Sequence, residues 1–171
     1  MVLAAGASER LGRPKQLVAY RGKPLLRHAV DAALAAGVGP VLVVLGHEAE
    51  RIAPALAGLG VGIVINGEWR AGLGGSVAAG VRAAAGLEPA VAGVLLLACD
   101  QPLVTPELLR SLAAGLAAGA PVAAAGYGGT LGVPAAFERS LFPELLGLDA
   151  DRGARDVIAR HRDRAVSAPF L

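Results

Sequence analysis

A doubly wound α/β sheet is predicted by three features of this sequence. Apolar runs alternate with stretches of helical periodicity, as where Val41-Leu-Val-Val-Leu45 is followed by Glu48 to Leu59, and that alternation marks an open sheet layered with helices. The runs are apolar throughout rather than at every second residue, which suits parallel strands covered on both faces. The first run, Val2 to Ala4, meets Gly6 and a loop of small and basic residues closed by Gly12 and Pro14. Loops at the carboxyl ends of strands are where such sheets bind ligands. The expected architecture is one mostly parallel, Rossmann-like sheet with helices on both faces, formed by residues 1–171 as a single domain.

Each element has its own signal. Val2 to Ala4 is short for a central strand of about five residues, so either the strand begins upstream or it is trimmed. Lys23 to Gly37 reads as a helix, with Leu25, Leu26, Ala29, Val30, Ala33 and Leu34 at helical spacing and Gly37 as C-cap. Val41 to Leu45 is a buried strand, Glu48 to Leu59 a helix bent by Pro54, and Val61 to Ile65 the next strand. A long loop, Asn66 to Ser76, then leads to a helix running to about Ala85, with Ser76 able to cap it. Val94 to Ala98, the most apolar strand, delivers Cys99-Asp-Gln-Pro102 to a loop. Thr105 as N-cap, Pro106 at the first position and Glu107 beside it start a helix to Ala117. Pro121 to Ala125, a glycine turn and Thr130 to Val133 form a strand and its return; Glu138 to Leu146 and Arg152 to His161 read as helices, and Ala165 to Ser167 as a closing strand.

Composition narrows the function classes. With 54% hydrophobic but only 4% aromatic residues, the core must be built from small and aliphatic side chains at close helix-to-sheet distances. Sixteen basic and 14 acidic residues give a formal charge of +2, mixed along the chain rather than gathered in a stripe, so nucleic-acid binding is not indicated. The single cysteine, Cys99, can form no internal disulfide, and a reducing, cytoplasmic setting is the expectation. The first residues do not read as a secretory signal. Residues 111 to 137 are uncharged, but Pro121, Pro134 and six glycines within them point to helix end, strand, turn and strand rather than a membrane span.

The opening stretch carries the functional signal. From Gly6 the chain reads G-x5-G-x-x-K through Gly12 to Lys15, so it is neither a Walker loop nor a G-x-G-x-x-G dinucleotide loop. Glycine lets backbone N–H groups converge on an anion, and Arg10, Arg13 and Lys15 add charge. Leu3-Ala-Ala-Gly6, Ser8, Arg10 and Gly12-Arg-Pro-Lys-Gln16 resemble the signature of nucleotidyltransferases akin to the molybdenum cofactor guanylyl- and cytidylyltransferases, and are most similar to the cytidylyltransferase branch. Further along, Asp100-Gln-Pro resembles that branch's metal-binding segment; Asn66, Trp69, Gly72, Ser76 and Gly80 resemble its base- and ribose-contacting loop; Gly132-Val-Pro134 with Phe137, then Asp151-Arg-Gly-Ala154, resemble segments near its acceptor. Leu11 stands where Met is usual, and Ala150 where Gly commonly precedes the Asp.

The resemblance implies transfer of a nucleotidyl group, CMP from CTP, to a phosphorylated acceptor, the molybdopterin cofactor, with Mg2+ as cofactor, pyrophosphate as leaving group and a partner enzyme to receive the product. CTP is favoured because Ala5 stands where guanylyl-type members tend to have Gly. By the same resemblance Arg10, Lys15 and Asp100 are the catalytic residues. Leu3, Ala4, Ala5, Gly6, Ser8, Arg10, Lys15, Asn66, Gly72 and Ser76 hold the nucleotide, and Asp100 and Asp151 hold the metal. Two other classes compete. Ser76, Asp100 and His161 follow the chain order of an α/β serine hydrolase, although the loop before Ser76 does not suit a nucleophile elbow. A non-catalytic nucleotide-binding module would keep the glycine loop without needing Lys15 and Asp100 together.

Overall fold

The computed structural model describes residues 1–149 and 151–170. Strand β1 (Val2–Ala4) runs into the glycine loop, and a small hairpin, β2 (Ala19–Tyr20) and β3 (Lys23–Pro24), precedes helix α1 (Leu25–Ala36). Then come β4 (Val41–Leu45), a short α2 (Ala49–Ile52) that tightens into a 3-10 turn at Ala53–Leu56, β5 (Val61–Ile65), α3 (Leu73–Ala85) and β6 (Gly93–Ala98). The second half holds α4 (Pro106–Ala117), β7 (Val122–Tyr127), β8 (Thr130–Glu138), α5 (Phe142–Leu146), α6 (Arg155–Arg160) and β9 (Val166–Pro169).

Seven strands form one sheet in the order β5-β4-β1-β6-β8-β7-β9. All neighbours are parallel except β8, which runs antiparallel to both β6 and β7. The chain winds from β1 outward through β4 to β5, then returns to place β6 on the other flank of β1, so strand order reverses beside β1. Side chains of successive strand residues enter opposite layers. Val2, Val43 and Leu45 pack with Leu26 and Val30 of α1 and Leu109 of α4, whereas Val44 and Leu96 pack with Val77 and Val81 of α3 and Val157 of α6. Helices therefore cover both faces, as the periodicity predicts.

The layers approach closely because small residues face the sheet. A side chain at Gly115 of α4 would sit 2.8 Å from the Ala123 Cβ of β7, and one at Gly80 of α3 would collide with Met1 and Val44. Gly80 thus has a packing reason. Phe137 is fully buried in the core, which removes it from the acceptor side where the resemblance places it.

Several boundaries differ from the sequence reading for identifiable reasons. Lys23 belongs to a hairpin whose turn residues Arg21 and Gly22 both take positive φ, 49° and 79°, the backbone of a tight two-residue turn. Helix α3 starts at Leu73, with Gly72 at φ 114° as its N-cap residue, so Ser76 lies inside the helix and does not cap it. Strand β8 continues through Pro134 to Glu138. The register steps from Ala124 opposite Ala135 to Ala125 opposite Gly132, so Val133 and Pro134 form a bulge in which a missing proline N–H breaks no ladder bond. Helix α6 starts at Arg155 because the segment before it lies against α3, where Gly74 leaves room for the carbonyls of Asp149 and Arg152. Thr105, as predicted, accepts from the Leu108 N–H at 3.2 Å.

Candidate active site

Beside β1, where strand order reverses, the loops after β1, β5 and β6 enclose a crevice of about 1030 Å3. Its walls include the stretch from Leu3 to Leu11, Lys15, Trp69, Arg70, Gly72, Leu73, Ser76 and Asp100. The volume lies at the upper end of the range for small-molecule sites. The carboxyl ends of strands from both winding directions meet here.

The glycine loop is held by a few bonds. The His47 N–H donates to the Ala5 carbonyl at 3.0 Å, and the Lys15 N–H donates to the Ser8 hydroxyl at 3.0 Å. Ser8 itself sits in the left-handed region at φ 56°, as does Gly12 at φ 66°. A serine there is uncommon and costs energy that the surrounding bonds must offset. Between these anchors the N–H groups of Ala5, Gly6, Ala7 and Ser8 make no backbone hydrogen bond among the described residues. Consecutive free donors of this kind form a concave anion cradle.

Lys15 and Asp100 meet beneath the loop from opposite sides of the switch point. The Lys15 Nζ donates to Asp100 Oδ2 at 2.8 Å. Partial burial pulls the Lys15 ammonium down, but the hydrogen bond and charge of Asp100 outweigh it, and the pKa lies above the ordinary lysine value despite the nearby Arg10 charge. Lys15 is therefore charged at neutral pH, and the pair places one flexible cation and one carboxylate at the same end of the crevice. Cys99, next in the chain, is buried, and that burial pushes its thiol up to about 12; it is a core side chain rather than a nucleophile.

Gln101, which the sequence offered only as part of the Asp100-Gln-Pro segment, fixes the Asp100 loop. Its Oε1 accepts from the Ala98 N–H at 3.2 Å, while its Nε2 donates to the Val133 carbonyl at 2.9 Å and to the Tyr127 hydroxyl at 3.1 Å. Tyr127 also donates to the Val133 carbonyl. The bulge in β8 exposes that carbonyl, so Asp100 is braced against the β7–β8 hairpin and Val133 lines the crevice. Arg70 is an omission of the sequence reading: it lines the crevice with its guanidinium 4.5 Å from the Trp69 ring centroid, and His47 meets the same ring edge-on at 4.7 Å. The sequence signal for both was adjacency to a recognised residue.

A model of the MobA-like NTP transferase domain matches residues 1–165. The chain belongs to that family. Among relatives of this MobA-like domain, the nicotine blue oxidoreductase of Paenarthrobacter nicotinovorans is 41% identical over 85 residues, 49% of this chain and 42% of that protein. The bifunctional protein GlmU of Agrobacterium fabrum is 36% identical over 131 residues, 74% of this chain and 28% of that one. The chain thus spans less than half the length of these curated relatives. Rv0371c of Mycobacterium tuberculosis H37Rv superposes with a TM-score of 0.82 at 32% identity, covering 99% of this chain and 86% of that one; the same protein has been crystallised with manganese.

Other candidate residues of this MobA-like domain lie in the crevice wall, behind it or away from it. Ser76 lines the crevice but is buried, and its hydroxyl accepts from Asn66 Nδ2 at 3.0 Å. Asn66 is buried too, and its Oδ1 accepts from the Glu68 N–H at 3.1 Å, so this side chain braces the loop behind the wall. His161 pairs with Glu144 at 2.7 Å and with Arg164 at 3.2 Å. With Ser76 held by Asn66 and His161 by Glu144, the hydrolase triad is not assembled. Arg10 and Leu11 stand exposed on the lip, while Arg13 is not part of the lining.

Asp151 is exposed, and the N-cap position of α6 is Ala154, without a side-chain cap bond. Ala150 lies outside the described residues. No cluster of three or more His, Cys, Asp or Glu occurs among the described residues. A lone carboxylate in a crevice lined by backbone N–H groups still fits Mg2+, which keeps most of its waters and takes one or two carboxylates beside phosphate oxygens. No helix of the described residues is long and apolar enough to cross a membrane.

Proposed function

We propose that this protein transfers a nucleotidyl group from an NTP, CTP in preference, to a phosphorylated small-molecule acceptor. The observation that carries this reading is the Lys15–Asp100 pair, 2.8 Å apart, at the foot of a loop whose Ala5, Gly6, Ala7 and Ser8 N–H groups make no backbone hydrogen bond among the described residues. An acceptor phosphate oxygen attacks the α-phosphorus in line, the bond from that phosphorus to the bridging oxygen breaks, and pyrophosphate leaves. The attacking phosphate is already ionised at neutral pH, so no general base is required, and catalysis reduces to positioning and charge neutralisation.

In this reading the loop from Ala4 to Ser8 seats the phosphates, and Lys15 and Arg10 turn towards the departing pyrophosphate. Asp100 would hold a divalent cation, with Asp151 as a second carboxylate, and such a cation would neutralise phosphate charge. Trp69 and Arg70 form the wall nearest the nucleoside, where Arg70 offers a further cation to an anionic substrate. By resemblance the acceptor is the molybdopterin cofactor. The test is pyrophosphate release from each of the four NTPs with Mg2+ and a panel of phosphorylated acceptors including molybdopterin. Acceptor-dependent release from CTP supports the reading; release from none of them overturns it.

A further inference from the structure

Gln16 follows Lys15 in the chain but points the other way. It is fully buried, and its Nε2 donates to the Ala4 carbonyl at 2.7 Å and to the Gly6 carbonyl at 3.0 Å. The two acceptors straddle Ala5, at the point where β1 becomes the glycine loop. In a trans peptide the C=O and the next N–H point in opposite directions. Drawing the carbonyls of Ala4 and Gly6 towards the core therefore turns the N–H groups of Ala5 and Ala7 away from it. These are two of the donors that make no backbone hydrogen bond among the described residues.

The other end of the amide argues the same way. Gln16 Oε1 is buried and has no partner among the described residues. A buried, unpaired acceptor is destabilising, and an apolar side chain of the same length would avoid it. Reversing the amide offers no escape, since Oε1 would then face two carbonyl oxygens. The two donations are what the side chain contributes.

We propose that Gln16 is a positioning residue that sets the peptide orientations of the glycine loop, so that its N–H groups face the triphosphate of the incoming NTP. The proposal rests on the nucleotidyl-transfer reading. Gln16→Met keeps the length and removes both donors together with the orphaned acceptor. Titration calorimetry with Mg2+ and the NTP that the unaltered protein binds is expected to show affinity weakened about tenfold or more, the size expected for losing a pair of aligned donors. The KM for NTP should rise in step, the KM for acceptor should hold, and kcat should change less than either affinity measure. The melting temperature should fall, because the Ala4 and Gly6 carbonyls lose their donor; a purely structural glutamine would lower it too but leave NTP affinity alone.

Unchanged NTP affinity in Gln16→Met overturns the role of Gln16 while leaving nucleotidyl transfer standing. Failure of the unaltered protein to bind any NTP overturns both. Should the methionine variant not fold, NMR on the unaltered protein decides: the Gln16 side-chain NH2 protons should be protected from hydrogen exchange and should shift on saturation with inorganic pyrophosphate. Exchange as fast as that of a solvent-exposed glutamine overturns the proposal.

Discussion

Lys15 and Asp100 neutralise each other at one end of the crevice, and in the proposed reaction each would be matched to a different part of a charge-dense transition state. Lys15→Ala and Asp100→Asn are each expected to lower turnover on the order of 10² or more, as removal of one preorganised charge does. Ser76→Ala should cost far less in turnover but should destabilise the fold by about 1–3 kcal/mol, because it leaves the buried Asn66 amide without its acceptor. Steady-state kinetics and melting curves on the three variants check this; inactivation by Ser76→Ala alone would overturn the assignment. Cys99 makes a different claim at the same scale. Its folded pKa near 12 exceeds the ordinary thiol value of 9.0, so above pH 9 the unfolded chain loses a proton that the folded chain keeps. Stability is then expected to fall as pH rises from about 9 towards 12, and Cys99→Ala should flatten that part of the profile. Native protein at pH 8 should resist thiol alkylation that the unfolded chain undergoes.

At the scale of elements, the site depends on contacts between segments far apart in sequence. The segment ending at Ala154 reaches the crevice because Gly74 in α3 lets the carbonyls of Asp149 and Arg152 lie against the helix. Gly74→Ala inserts a methyl group where backbone, not a flexible side chain, must give way, and is expected to destabilise by about 1–3 kcal/mol. Asp151→Asn tests the same segment chemically: a weakened Mg2+ response at unchanged melting temperature supports a metal role, and unchanged metal dependence and activity remove it. These contacts also explain what was legible in the sequence. Apolar runs such as Val41 to Leu45 and the Thr105-Pro-Glu helix start are local signals, and they survive into the structure. The passage of β8 through Pro134, the embrace of Ser76 by Asn66 and the bracing of Asp100 by Gln101 are tertiary. A proline reads as a strand end until a bulge in register makes its missing N–H harmless, and a serine after glycines reads as a cap until the glycines themselves enter the helix. The glycine loop was legible because it lies within fourteen residues, whereas the contact of Lys15 with Asp100 across 85 residues is made by the fold.

The whole molecule opens its crevice on the seam between two halves of one sheet, and the scaffold alone does not choose the reaction. A relative named as an oxidoreductase is 41% identical over half of this chain, so function must be read from the crevice and tested there. Its walls come from β1, the loop after β5 and the start of α3 on one side and from β6, the β8 bulge and the segment before α6 on the other. A ligand bridging them binds only the folded state, and its affinity appears as a gain in stability. At about 100 times Kd that gain is about 2.7 kcal/mol, which for a chain of this size raises the melting temperature by about 5–10 °C. With Mg2+, CTP is expected to give the largest shift of the four NTPs. The Ala5 methyl packs beside Gly46, where an added Cβ would lie 3.0 Å from it and 2.6 Å from Trp69 Cβ, so that wall has little freedom to widen for a purine. Chelation should remove most of the CTP shift, since phosphate charge then faces Asp100 without compensation. Asp100→Asn should shrink the metal-dependent part while leaving a residual, metal-independent shift from the loop. A GTP shift larger than that of CTP would reverse the base assignment, and no metal-dependent shift with any NTP would remove the transferase reading itself.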